Sequence, residues 1–299
     1  GMNEYWDDRM LVDRKQDIWA TTSFLSKLGF APRLTPFEAE RLSGVVGIGV
    51  PADSLDSNSW DRMSSSSYGS VYARTAATMR TLENLLGHEV MGKAMKLYYE
   101  RWKFRHPDAA YLRDALAEGS GQPELVHAIF ASQVYGTDKV DASVVSIDNE
   151  EQVPRTGTVI RDGKRVTLSA KDVDKQIDDA RAAWDKAHKD ARHGGPYPWL
   201  STITVRRTGA AVPRTVLVKF ADDSSETVKW DDASRWKRIN FTKPVKAVSA
   251  TVDPDRKIVL DANSLNDSRT IKADGAASRR WSADVASFFQ TFYALMGTL

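Results

Sequence analysis

The hydrophobic period of this sequence changes near residue 140, and that change limits the folds the chain can adopt. Before it, apolar residues recur at steps of three and four, as from Met79 through Leu82 to Leu86; after it they alternate, as at Ile203 and Val205. The first spacing places side chains on one face of a helix, and the second on one face of a strand. The sequence therefore predicts a multidomain α plus β fold, with an antiparallel α-helical array followed by a β-sandwich and a C-terminal helix.

Glycine and proline residues divide the helical part into helices with short connections. Gly87 stands where a glycine ends a helix, and Pro107 and Pro123 stand where helices begin. Gly119 is expected to end the helix that Pro107 opens. Because short connections make consecutive helices antiparallel neighbours, we expect these helices to pack as an array.

Two further helices are expected nearer the start of the chain. Residues 4–18 place apolar residues among charges, and Thr35 with Glu38 matches the capping box that begins a helix. The start itself, Gly1 and Met2 followed by a dense amphipathic segment, is typical of a domain cut from a longer protein. We therefore expect further sequence upstream.

Short alternating segments separated by turn residues predict the β-sandwich. Asp162-Gly163 is a hairpin turn signal, and a late strand is expected at residues 258–260. A charged helix is expected to interrupt the strands at about residues 171–192. The predicted limits are 1–140 for the helical domain, 141–275 for the β-sandwich domain and 276–299 for the C-terminal region. Within that last region the helix is expected from Trp281 to about Met296.

Charge and composition exclude several classes of function. The 299 residues include 42 basic and 40 acidic residues and no cysteine. Because the two kinds of charge are nearly equal in number, the protein has no overall positive field that would attract nucleic acid. The lack of thiols excludes disulfides and cysteine-based zinc sites. No apolar run is long enough for a membrane span, so we expect no membrane segment in this chain. The localisation is left open, and a parent protein could be cytoplasmic, periplasmic or membrane-tethered.

No complete catalytic or metal motif stands in the sequence. His88-Glu89 begins the H-E-x-x-H zinc motif, but Gly92 stands where the second histidine belongs, so His88 is interpreted as a helix-start residue. A G-x-S-x-G nucleophile elbow is also missing. We expect no cofactor in this chain and no self-sufficient active centre.

Two segments nevertheless resemble a known family. The first segment contains YGSVYARTAATMRTLE from Tyr68 and, further along, YYERWKFRHP from Tyr98. The second is NEYW from Asn3, near the start of the chain. Together they resemble the part that follows the zinc site in the gluzincin aminopeptidases, the aminopeptidase N family of zinc metallopeptidases. In the β-rich part, DPD from Asp253 and LDAN from Leu260 are similar to the sandwich of bacterial members.

The resemblance implies one catalytic residue and one weaker candidate. Tyr72 matches the family tyrosine whose hydroxyl donates to the oxyanion of the tetrahedral intermediate, opposite the zinc. The alternative is that Tyr72 only packs in the first turn of its helix. Tyr68, nearby, is the rival position and a candidate substrate-binding residue.

The same resemblance implies where the metal and the partners are. The zinc ligands are absent from this chain, so zinc is expected in the full-length parent, bound by an upstream catalytic segment that would be the partner of this chain. A peptide would be the substrate of the parent, and the fragment alone would be inactive. The alternatives are a non-catalytic peptide- or protein-binding module from a degenerate peptidase and, less favoured, a free-standing structural protein. Apolar surface left exposed could also support a dimer.

Overall fold

The computed structural model describes residues 1–15, 18–19, 33–43, 49, 53–61, 70–188, 194–273 and 275–297. The chain is mixed α plus β, with an antiparallel α-helical array, then a β-sandwich, then a C-terminal helix. This is the fold class that the change of hydrophobic period predicts. The domain limits at 140 and 275 stay predictions.

Eight helices lie within the described ranges. In chain order they are α1 Met2–Asp13, α2 Pro36–Ser43, α3 Thr75–Leu86, α4 His88–Trp102, α5 Ala109–Ser120, α6 Pro123–Ile129, α7 Ala170–Ala187 and α8 Ala276–Met296. A π-helical turn, Ser70–Arg74, leads into α3, and a second, Phe130–Val134, continues α6.

The ends of the helices mostly follow the sequence signals. Gly87 has φ of 96° between α3 and α4, a conformation that favours glycine, and the Thr35–Glu38 capping box begins α2. Two expectations were wrong. The first helix ends at Asp13 rather than residue 18, and α5 runs through Gly119 to Ser120, with Gly121 as its cap in the left-handed region.

Gly119 has a different role, at the crossing of α4 and α5. A Cβ at Gly119 would lie 2.6 Å from the Cα of Ala94, so only glycine lets the two helices approach this closely. The α5 helix is instead begun by Asp108, whose carboxylate accepts hydrogen bonds from the backbone N–H groups of Ala110 and Tyr111.

The strands form two larger sheets and two small pairs. In chain order they are β1 Ile18–Trp19, β2 Arg33–Leu34, β3 Val140–Glu151, β4 Gly157–Arg161, β5 Lys164–Leu168, β6 Trp199–Gly209, β7 Arg214–Phe220, β8 Ser225–Trp230, β9 Trp236–Lys243, β10 Ala247–Val252 and β11 Ser268–Thr270. One sheet has the order β3-β6-β9 and the other β11-β10-β7-β8, with antiparallel pairing throughout. The β4–β5 hairpin turns at Asp162-Gly163, as predicted.

The two sheets enclose an apolar core between their alternating inward faces. The largest buried side chains there are Trp230, Phe220 and Ile203. Asn149 joins the sheets at one edge, since its Nδ2 donates to the Ala247 carbonyl and its Oδ1 accepts from the Ala247 N–H at 3.0 Å. These bonds connect the two sheets and pair the polar atoms of the Asn149 side chain.

The segment between β10 and β11 joins the sandwich to the helical array. Ile258 and Leu260, where a strand was expected, lie in a loop and are buried in the core of the helices. The Leu260 N–H donates to Thr81 Oγ1 at 3.3 Å, and Asn84 Nδ2 donates to the Lys257 carbonyl at 2.8 Å. Packing on α3, rather than pairing with a neighbouring strand, therefore holds this segment in place, and the Asp253 carboxylate accepts the N–H groups of Lys257 and Ile258.

Two helices stand apart from the cores. The α7 helix, expected at 171–192, ends at Ala187 and buries Val173 alone of its described residues, while every described side chain of α8 is exposed. Within the described ranges, no helix combines the length and the apolar character that crossing a bilayer requires.

Candidate functional site

Tyr72 lies on the π-helical turn Ser70–Arg74, immediately before α3. Its neighbours Ala73 and Arg74 are buried, whereas the Tyr72 side chain is 47% exposed. Within the part of the chain that the structure describes, the Tyr72 hydroxyl makes no hydrogen bond. The phenol is therefore presented at the surface from a packed backbone. Tyr68, the other tyrosine singled out from the sequence, lies outside the described residues.

Arg74 fixes the turn that carries Tyr72. Its guanidinium is fully buried and donates from Nη2 to Gln133 Oε1 at 2.9 Å and to the Asp138 carbonyl at 3.3 Å. Thr78 Oγ1 donates to the Arg74 carbonyl at 2.7 Å. Burial lowers the pKa of Arg74 to about 10, so this side chain remains a cation at neutral pH. Sequence reasoning missed Arg74, because the spacing alone does not distinguish a buried arginine from a solvated one.

A second network joins α1 to α3. The Tyr5 hydroxyl donates to Glu83 Oε2 at 3.0 Å, and Arg9 Nη1 donates to the Tyr5 hydroxyl at 3.2 Å. The Glu83 carboxylate also contacts Arg80 Nη1, 3.1 Å from Oε2, and His88 Nδ1, 2.8 Å from Oε1. Tyr5 and Glu83 come from the two separate segments that carry the resemblance. The fold thus brings those segments into direct contact, with His88 as a hydrogen-bond partner of Glu83 at the start of α4.

A groove of about 630 Å³ runs between α1 and the C-terminal half of α4. Four aromatic residues and three cationic residues are among those that line it. The aromatic residues are Trp6, Tyr98, Tyr99 and Trp102, and the cations are Lys96, Lys103 and Arg105. Burial raises the pKa of Tyr98, which keeps that hydroxyl a neutral donor.

Sequence reasoning did not identify this groove. Tyr98 and Trp102 are one helical turn apart on α4, which was the available signal. What the sequence did not show is that Trp6 of α1 would lie opposite them. The groove is a concave surface with a few polar groups, which is the usual form of a ligand site.

The described residues do not fit a zinc site. No three His, Asp or Glu side chains of the described ranges lie together where they could hold a metal ion. Catalytic zinc takes three such protein ligands. No metal chemistry is therefore assigned to these residues.

Comparison with known proteins gives little to add. No family model matches the chain, and no curated protein matches it. Among solved structures, the chain is similar to Legionella pneumophila aminopeptidase A in complex with aspartic acid, at 7% identity and a TM-score of 0.33. That similarity covers 60% of this chain and 16% of the other. A likeness at this level carries no argument, and the gluzincin resemblance stays a prediction.

Proposed function

We propose that this chain is the C-terminal part of a zinc-dependent, aminopeptidase-like metallopeptidase, in which it forms the far wall of the substrate cleft. The observation that carries the proposal is the Tyr72 phenol, half exposed and without a hydrogen-bond partner among the described residues, on a turn anchored by buried Arg74. A tyrosine that served only to pack the helix start would be expected to bury its ring.

The proposed role of Tyr72 is to stabilise negative charge on a carbonyl oxygen. Peptide hydrolysis passes through a tetrahedral intermediate, whose oxyanion is stabilised by a hydrogen-bond donor already fixed in place. A phenol suits that role, because it stays protonated at neutral pH. The Arg74–Gln133 contact limits movement of the turn, so little reorganisation is needed when the charge develops.

The metal in this proposal belongs to another segment of the parent protein. Zinc and its ligands would come from upstream, and this chain would neither bind zinc nor cleave peptides alone. Purified chain with added zinc and an aminoacyl substrate should show no turnover. Turnover by the isolated chain would contradict the proposal.

The decisive experiment is Tyr72→Phe in the longer gene product. Loss of one oxyanion donor lowers kcat by roughly 100- to 1,000-fold, with a small effect on KM. Tyr135→Phe is the matched control, since it removes the same hydroxyl from a ring that is 36% exposed and lies outside the Ser70–Arg74 turn, and it should leave kcat unchanged. Equal activity of Tyr72→Phe and the native protein would remove Tyr72 from the mechanism.

A second candidate function, peptide binding without catalysis, is favoured by the aromatic groove. Its rings and the cations Lys103 and Arg105 suit an extended peptide with apolar and acidic side chains. The isolated chain should bind an acidic, aromatic peptide more tightly than its basic counterpart. Lys103→Glu with Arg105→Glu should abolish that preference, whereas Lys229→Glu on the sandwich should not. A basic peptide that bound equally well would exclude this function.

A further inference from the structure

The C-terminal helix α8 carries a broad apolar face on the surface of the molecule. We call this the α8 face and define it by Trp281, Val285, Phe288, Phe289, Phe292, Tyr293 and Met296. All seven side chains are exposed, and Trp281 is 71% exposed. Contiguous apolar surface of this extent marks an interaction site in a soluble protein.

The spacing within the α8 face indicates what kind of element covers it. Trp281, Val285, Phe288 and Phe292 follow one another at steps of four, three and four residues. Steps that alternate between four and three residues keep one line of side chains facing a second helix over several turns. The face therefore suits an α-helix lying along it.

The charges of α8 indicate the direction of that second helix. Arg279 and Arg280 lie near its N-terminal end, and it has no acidic residue in the first turn and no basic residue in the last. Both ends thus lack the charges that would complement the helix macrodipole. An antiparallel helix of the same sequence corrects this, because each arginine pair then lies beside the negative C-terminal end of the other helix.

We propose that α8 pairs antiparallel with α8 of a second copy of this chain, about a two-fold axis near Phe288. Trp281 of each copy then packs on the last turn of the other helix, and Val285 packs near Phe292. Such an isologous contact closes on itself and gives a dimer rather than a filament.

The α8 face has enough exposed area for such a dimer, and its rings are packed against one another along the helix. On ordinary side-chain areas the seven residues expose roughly 700–800 Å² per copy, close to the 800 Å² or so that one partner contributes to a standard interface. The rings also support one another along the helix, since the Phe288 and Phe292 centroids are 6.4 Å apart, as are those of Phe289 and Tyr293. A face already ordered loses less conformational entropy on pairing.

Engineered cysteines test both the pairing and its direction, because the native chain has no cysteine. Under mild oxidation Phe288→Cys should form a disulfide-linked dimer, since the two residues meet at the axis. Trp281→Cys is the matched control and should stay unlinked, because an antiparallel pair separates the two positions by about 21 Å along the axis. Efficient linkage through Trp281→Cys would show parallel pairing, and linkage through neither would show no pairing; either result overturns the proposal.

Sedimentation velocity on the native chain provides an independent measurement. The native chain should sediment as a dimer, Phe292→Glu as a monomer, and Gln290→Glu on the opposite face of α8 as a dimer. Far-UV circular dichroism checks that α8 stays helical in both variants. A monomeric native chain overturns the proposal, and so does a monomer that cosediments with vesicles containing anionic lipid, because the face would then bind membrane.

Discussion

Glu83 is the most heavily engaged acidic side chain among the described residues of the helical array. It is 1% exposed, and Tyr5, Arg9, Arg80 and His88 all contact its carboxylate. Several donors are needed to offset the cost of removing a carboxylate from water. Burial raises the pKa of Tyr5, and the adjacent Glu83 carboxylate raises it further, so the phenol stays protonated and remains a donor.

Glu83→Gln should therefore destabilise the fold. Removing the charge leaves Arg9 buried without its counter-ion, which lowers the free energy of unfolding by about 2–4 kcal/mol. Urea unfolding measures the change. Glu118→Gln is the control, since Glu118 pairs with Arg101 in full contact with solvent and its loss should change little. Equal effects of the two variants would show that the Glu83 network does not stabilise the protein.

Asp267 is a second residue whose surroundings have a measurable consequence. Its Oδ1 is buried without a hydrogen-bond partner among the described residues. Burial of the carboxyl group, and next the nearby Asp261 carboxylate, raise the pKa of Asp267 to about 7. Asp253 and Asp141 act in the same direction, and Arg214, paired with Asp261 at 2.5 Å, opposes them.

The free energy of unfolding should therefore fall as the pH rises toward the pKa of Asp267. The folded state holds the Asp267 proton more tightly than the unfolded chain does, in which an aspartic acid has a pKa of about 4. The stabilisation that this proton provides is therefore complete below about pH 4 and is lost by about pH 7. From about pH 4 to about pH 7, the free energy of unfolding of Asp267→Asn should rise by about 1–2 kcal/mol relative to that of the native protein, allowing for partial solvent screening. Urea unfolding across this range measures the difference, and Asp255→Asn, exposed in the same loop, should show none. A difference for Asp267→Asn that does not vary with pH would contradict the assignment.

At the scale of elements, α7 depends on its own ends more than on packing. Val173 is its only buried described residue, whereas Ser169 and Asp172 form a complete capping box at its start. Helices with little tertiary support are only marginally stable.

Ser169→Ala should loosen α7 without affecting the rest of the molecule. Loss of the cap costs about 1 kcal/mol of helix stability. Amide hydrogen exchange should be faster in residues 170–187, with exchange in the sheets and the thermal midpoint unchanged. Ser287→Ala, in the interior of the equally exposed α8, is the control. Unchanged exchange in α7 would show that contacts other than the cap hold the helix.

Local signals in the sequence predicted most elements correctly, because they act within a few residues. The Asp162-Gly163 turn and the Thr35–Glu38 capping box are both present. The strand expected at residues 258–260 failed because burial against α3 determines that segment. Alternating apolar residues there serve a loop that packs on helices, which no local pattern distinguishes from a strand.

The candidate site was less predictable than the fold. Tyr72 was named from resemblance, and its exposure could not be read from the spacing that placed it at a helix start. The groove depends on Trp6 and Trp102 lining the same space from two helices that are far apart in the chain. Such long-range proximity is set by the packing of α1 on α3, through Tyr5 and Glu83, and not by the local sequence.

At the scale of the molecule, the helical core includes residues from three separate segments of the β-rich part. Val140, Val212, Ile258 and Leu260 belong by sequence to the β-rich part or its edge, yet they are buried with the helices. The helical core is therefore incomplete without residues that the sandwich holds in place. We expect the helical array and the sandwich to unfold together, in one transition.

Leu260→Ala tests this coupling. Leu260 is 1% exposed and contacts the helical core, so truncation should lower the free energy of unfolding by about 2–4 kcal/mol. Because the Arg214–Asp261 ion pair joins the same loop to β7, the helical signal in circular dichroism and hydrogen exchange in β7 and β10 should report the same loss. Leu265→Ala removes the same atoms from a side chain that is 92% exposed in the same loop, and should leave both unchanged. A Leu260→Ala protein in which the helices melt first while the sheets keep their native protection would show that this loop does not couple the helical array to the sandwich.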